Sequence, residues 1–135
     1  MIRPALSSVN IVIRCMDIGR SRLFYEMLLG LEPVREWTES QGNGCIFPVG
    51  EGNVTGYIEV YEMNDSDERY KDAFARPLET DKVDVQFNVP SLDAWVRRLK
   101  GKWDFDGPES APWGQTWIRL RDPDNLLIAL VEDSA

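Results

Sequence analysis

Apolar and polar positions alternate along residues 8–15. Val9, Ile11, Ile13 and Cys15 fall on one face and Asn10, Val12 and Arg14 on the other, the period of a strand with one apolar side. The spacing then becomes helical at Leu23, Phe24, Met27 and Leu28, which predicts an apolar stripe. Asp17 or Ser21 can accept a bond from a free first-turn amide, and Gly30 ends the helix as a residue that tolerates positive φ. Residues 32–40 predict a strand and Gln41-Gly42-Asn43-Gly44 a turn. Residues 45–49 and 54–62 predict two more strands, separated by Gly50-Glu51-Gly52-Asn53. The first half reads strand, helix, strand, strand, strand.

Residues 63–82 break the pattern. Asn64-Asp65-Ser66-Asp67-Glu68-Arg69 is charged, and residues 70–75 have room for a short helix before Pro77, so the segment reads as a connector. Alternation then resumes over 83–89, with Val83, Val85, Phe87 and Val89 opposite Asp84, Gln86 and Asn88. Ser91 can cap a helix carrying Leu92, Trp95, Val96 and Leu99, with Trp95 assigned to the core and Gly101 as the stop. Residues 103–105 predict a short strand, 106–112 a loop, and 114–121 and 126–132 a hairpin turned by Asp122-Pro123-Asp124-Asn125. The last strand is almost wholly apolar, as one buried on both faces would be. The second half is again strand, helix, strand, strand, strand.

The two halves also echo each other in sequence. Gly44 to Glu62 matches Gly114 to Glu132 in length, seventy positions apart, and Tyr57-Ile58-Glu59-Val60-Tyr61-Glu62 matches Leu127-Ile128-Ala129-Leu130-Val131-Glu132 in its apolar positions and closing Glu. A repeat of this kind outranks local propensity. The expected organisation is one domain: module one at about 6–62, a connector at about 63–82 and module two at about 83–133. Each half alone would be marginal in size, so the two are expected to share one sheet system.

Composition narrows the function. The 135 residues carry a formal charge of −8 with no compact basic stripe, which argues against a nucleic-acid partner. No apolar run reaches the length of a membrane span, and Met1-Ile2-Arg3-Pro4 leads straight towards a strand, so no membrane partner and a cytoplasmic location are expected. Two cysteines, Cys15 and Cys45, are too few for a disulfide framework and read as reduced thiols. The chain has no histidine, which removes the usual general base and the commonest metal ligand together.

Two motifs and the module order carry a family resemblance. Asp17-Ile18, Ser21, Phe24-Tyr25 and Leu29-Gly30-Leu31 in the first half, with Pro112-Trp113-Gly114 and Arg121-Asp122-Pro123-Asp124-Asn125 in the second, resemble the vicinal oxygen chelate superfamily. This is the group of glyoxalase I, extradiol dioxygenases and bleomycin-resistance proteins, and the bleomycin-resistance-like branch is the nearest in motif. The resemblance implies an α+β fold of two tandem βαβββ modules, whose curled mixed sheets share a concave cleft, and a homodimer. It also implies four metal-ligand positions, which fall on Asn10, Glu59, Asp84 and Ala129. Only Glu59 keeps the family's residue type, and Ala129 cannot ligate, so no metal and no other cofactor is expected.

The residues themselves place Asn10 and Arg14, then Tyr57, Glu59 and Tyr61, then Asp84, Gln86 and Asn88 opposite the apolar stripes. The plainer alternative is a solvated sheet face. Trp113 and Trp117 can stack on a planar ligand or pack in the core. Arg14 can stabilise an enolate or pair with Glu59. The ligand-binding set is therefore Asn10, Arg14, Tyr57, Glu59, Tyr61, Asp84, Gln86, Trp113 and Trp117, with Glu59 the candidate catalytic group. Two functions stay open. One is a metal-free protein that sequesters a planar or cationic organic ligand, as resistance proteins do. The other is a divalent-metal-dependent lyase, isomerase or dioxygenase with an atypical site. Loss of the metal ligands favours binding over catalysis.

Overall fold

Strand β1 (Asn10–Arg14) runs parallel to β4 (Gly56–Met63), which pairs antiparallel with β3 (Gly42–Val49), and β3 with β2 (Arg35–Glu39), giving the order β1-β4-β3-β2. The computed structural model describes residues 4–50, 52–54, 56–64 and 68–133. A second sheet repeats the arrangement with β5 (Asp84–Asn88), β8 (Leu127–Asp133), β7 (Gln115–Arg121) and β6 (Phe105–Ser110), in the order β5-β8-β7-β6. Helix α1 (Ile18–Arg22), continued by a π-helical turn at Leu23–Leu28, follows β1, and α3 (Leu92–Leu99) follows β5. Each half is thus βαβββ, and the fold is α+β with mixed sheets. The chain divides into two compact units, Met1–Arg76 and Pro77–Ala135, parted inside the segment read as a connector. Among the described residues no helix is long and apolar enough to cross a membrane.

The repeat extends to ladder register. Asn10 faces Tyr57 as Asp84 faces Leu127, so Tyr57 and Leu127 are counterparts, as the sequence match had them. The closing Glu has one job in both units. Glu62 Oε2 accepts the Ile18 amide at 2.7 Å, and Glu132 Oε1 accepts the Leu92 amide at 2.9 Å. Each of these is the first amide of a helix and has no intrahelical partner. The carboxylate supplies one from the neighbouring strand, tying helix to sheet. The preceding strands correspond differently. Cys45 faces Val60 while Ile118 faces Leu130, so Ile118, not Gln115, is the counterpart of Cys45, and the equal length of the two segments is not a structural equivalence.

Core side chains follow the strand alternation. Ile13, Cys15, Cys45, Phe47, Ile58 and Val60 are buried in the first unit and Val85, Ile118, Leu120, Ile128 and Leu130 in the second. Ala129 and Val131 are buried as well, so the last strand is covered on both faces. The stripe on the first helix differs from the predicted one. Leu23 and Met27 are 62 % and 66 % exposed, while Ser21, Phe24, Tyr25 and Leu29 are buried. The buried residues keep helical spacing, but two of them carry hydroxyls and were passed over for more apolar neighbours. Tyr25 stacks on Phe47 at 6.1 Å and meets Phe24 edge-on at 4.9 Å. Asp17, rather than Ser21, caps the helix, accepting the Arg20 amide at 3.2 Å, and Gly30 sits at φ 72° beyond its end. Trp95 is half-buried rather than core, with the Arg98 guanidinium 5.7 Å from its ring.

Two loops read from the sequence are strands. Only Ser40 and Gln41 turn between β2 and β3; Gly42, Asn43 and Gly44 already pair with Glu39, Thr38 and Trp37. Residues 106–110, within the segment read as a loop, belong to β6, whereas Trp103 lies before it. Proline is tolerated because β6 is an edge strand, and the ladder shifts register between Asp106 and Glu109. The hairpin turn is as expected. Buried Asp122 accepts the amides of Asp124 and Leu126 at 2.9 and 2.8 Å, and Asn125 takes φ 67°.

Candidate functional site

The face of the first sheet turned away from the helix carries Asn10, Val12 and Arg14 from β1 and Tyr57, Glu59, Tyr61 and Met63 from β4, as alternation requires. A cavity of about 730 Å³ opens on this face, lined by Val12, Arg14, Gln41, Glu59, Tyr61, Met63, Arg69 and Tyr70. That is in the size range of small-molecule sites. Its charged groups are one carboxylate and two guanidinium groups.

Glycine shapes one wall. A Cβ on Gly44 would collide with Cζ2 of Trp37, and one on Gly42 would lie 2.5 Å from the Glu62 carbonyl oxygen and 2.7 Å from the Tyr61 ring. The two glycines in β3 therefore let both rings lie flat across the strand. Trp37 meets Tyr61 at 6.3 Å between centroids, and Tyr61 meets Phe74 of α2 (Lys71–Ala75) edge-on at 5.6 Å. The Tyr61 hydroxyl donates to the Gln41 carbonyl at 3.2 Å, fixing the ring's outer end.

The charged groups are arranged in a specific way. Asn10 Nδ2 donates to Glu59 Oε1 at 3.0 Å. The Arg14 guanidinium sits 4.2 Å from the centre of the Tyr70 ring, and Arg69 lies 5.6 Å from the same ring. The Arg14–Glu59 pair weighed from the sequence is absent among the described residues; in the ladder Arg14 faces Tyr61 and Glu59 faces Val12, an offset of two positions.

The second unit holds the remaining candidates on its own sheet. Asp84 and Gln86 are exposed on β5, with Gln86 Nε2 donating to Asp84 Oδ2 at 3.3 Å. Trp113 is 72 % exposed and stacks on Trp117 at 6.2 Å. Trp117 is engaged by its own unit: Nε1 donates to Glu109 at 3.2 Å, and the Arg119 guanidinium lies 5.0 Å from the ring.

Of the residues that the sequence put on this polar face, Arg14, Glu59 and Tyr61 line the cavity and Asn10 bonds to Glu59. Tyr57 is on the same strand face but outside the lining. Val12, Gln41, Met63, Arg69 and Tyr70 line the cavity outside the candidate set, Val12 having been placed on the right face but not among the candidates. Met63 continues the alternation of Tyr57, Glu59 and Tyr61 by one step and was legible in principle. Arg69 and Tyr70 reach the cavity from the connector, which no local pattern announces.

The four metal-ligand positions of the resembling superfamily can now be tested. Asp84 is the ladder counterpart of Asn10, and Ala129 of Glu59. Ala129 offers no donor atom and is 3 % exposed, and Asn10 turns its amide N–H towards Glu59. Among the described residues no three His, Cys, Asp or Glu side chains come together. This donor set does not fit a divalent transition-metal ion, which needs nitrogen, sulfur or several converging carboxylates.

A family model described as glyoxalase/bleomycin resistance protein/dioxygenase superfamily matches residues 8–130. The chain belongs to this superfamily. Solved structures agree on the fold. TnmS3, an antibiotic binding protein from Streptomyces sp. CB03234, superposes with a TM-score of 0.73 at 18% identity over 98% of this chain and 100% of its own. A glyoxalase/bleomycin resistance protein from the same organism gives 0.65 at 17% identity over 92% and 98%. A domain from Frankia sp. EAN1pec, described as glyoxylase/bleomycin resistance protein/dioxygenase, gives 0.68 at 18% over 98% and 99%. No curated protein matches the chain in sequence. The superfamily has both binders and enzymes among its named members, so function has to be argued from the cavity.

Proposed function

We propose that the protein is a metal-free binding protein that sequesters a small planar organic molecule in the cavity of its first unit. One observation carries the reading: Tyr61, laid across Gly42 and backed by Trp37 over Gly44, lines with Tyr70 a cavity of about 730 Å³. Aromatic walls of this kind favour stacked ligands. Buried apolar area is the largest favourable contribution available to such a ligand, at roughly 25 cal/mol per Å² before the cost of association, and the polar groups choose among ligands. The neighbour named as an antibiotic binding protein fits this reading.

The enzyme reading keeps Glu59 as base and Arg14 as electrophile, since the two line one cavity without pairing to each other. It is the weaker one, because the donor set does not fit the superfamily's metal. The proposal includes a homodimer in the cytoplasm, with the two thiols reduced; sedimentation equilibrium at micromolar concentration tests the assembly, and a monomer of 15.5 kDa contradicts it. The binding itself is tested by quenching of tryptophan fluorescence with planar aromatic compounds, recovered unchanged after incubation. Turnover of a bound compound moves the enzyme reading ahead.

A further inference from the structure

The ligand's chemical class follows from Arg14, on the reading that the first unit's cavity binds a planar molecule. Arg14 is part-buried at the end of β1 and lines the cavity. Its guanidinium lies 4.2 Å from the centre of the Tyr70 ring, and among the described residues no carboxylate stands within ion-pair distance of it. Stacking on an aromatic face leaves the N–H fork in the plane of the guanidinium free to meet an acceptor, the geometry that suits a carboxylate or another oxyanion bidentately. Glu59, the one carboxylate in the lining, already takes the Asn10 amide on one oxygen. Asp84, the other carboxylate among the candidates, belongs to the second unit, on β5 beside Gln86.

We infer that the ligand is a planar aromatic acid, its oxyanion received by the Arg14 fork beside Tyr70 and its ring laid against Tyr61. Glu59 then faces the other end of the ring and accepts an N–H or O–H.

Three probes of one shape test this: anthracene-9-carboxylate, anthracene-9-carboxamide and (anthracen-9-ylmethyl)trimethylammonium, titrated by calorimetry at low and moderate salt. The expected result is that the carboxylate binds at least about tenfold more tightly than the carboxamide, and the ammonium more weakly than either. Arg14→Gln brings the carboxylate-to-carboxamide ratio to about one, and Arg14→Lys restores only part of it, because a point charge lacks the fork. Circular dichroism of both variants checks that they fold. Equal binding of all three probes by the native protein, or tightest binding of the ammonium, overturns the inference and leaves the stacking cavity standing. Binding of none overturns both. An unchanged ratio in folded Arg14→Gln also overturns it.

Discussion

Replacing Glu62 by alanine removes the carboxylate that accepts the Ile18 amide at 2.7 Å, and Glu132→Ala does the same at Leu92, 2.9 Å away. A hydrogen bond to a charged acceptor contributes about 1.5–3 kcal/mol, and a negative charge at a helix N-terminus adds roughly 0.3–1 kcal/mol. Both carboxylates are half-buried, which puts the expected loss near the lower end, about 1.5–2 kcal/mol each. Glutamine keeps an acceptor but not the charge, so Glu62→Gln and Glu132→Gln cost about half as much. Urea unfolding followed by far-ultraviolet circular dichroism reads this directly. With a slope of about 1.5 kcal/mol/M, each alanine variant lowers the midpoint by about 1 M. A shared role for the two glutamates is refuted if either alanine variant stays within about 0.3 kcal/mol of the native protein, a change typical of an ordinary surface site, or if glutamine is as costly as alanine.

Gly44→Ala drives a methyl into the Trp37 ring and costs about 1–3 kcal/mol, with a changed near-ultraviolet tryptophan signal; an unaltered spectrum and stability contradict the account of this wall. Cys15 and Cys45 are fully buried, and burial pushes the Cys45 thiol up to about 11. Native protein should therefore resist iodoacetamide at pH 8 while unfolded protein takes up two equivalents, and fast native labelling would contradict the burial. Elemental analysis after mild purification should find no stoichiometric transition metal; one zinc, nickel or iron per chain means that Asn10, Glu59, Asp84 and Ala129 have been misread.

Much of the architecture was legible because strand alternation and the repeat are local signals with fixed periods. Asn10, Arg14, Glu59 and Tyr61 share a sheet face for the same reason that Ile13 and Val60 share the opposite one. The failures have physical causes too. Gly42 and Gly44 look like turn residues, yet they are in β3 because Trp37 and Tyr61 need the space of a missing Cβ, a requirement set by a neighbouring strand. Gly107-Pro108 looks like a loop, but an edge strand tolerates a residue without an N–H. Ser21 and Tyr25 were passed over because hydropathy ranks them below Leu23 and Met27, although it is they that face the sheet. Arg69 and Tyr70 belong to the cavity through tertiary contact alone, and with them came the placement of Arg14 against Tyr70 rather than Glu59.

Whether the first unit's cavity is the binding site is tested most directly by mapping a bound probe. Anthracene-9-carboxylate is added to uniformly ¹⁵N-labelled protein, and the ¹H–¹⁵N spectrum is followed to saturation. The account predicts the largest shifts at the amides of Arg14, Glu59, Tyr61 and Tyr70 and at the indole N–H of Trp37. Saturable shifts confined to Trp113, Trp117 and their neighbours on β6 and β7 would place the ligand on the other sheet and contradict it.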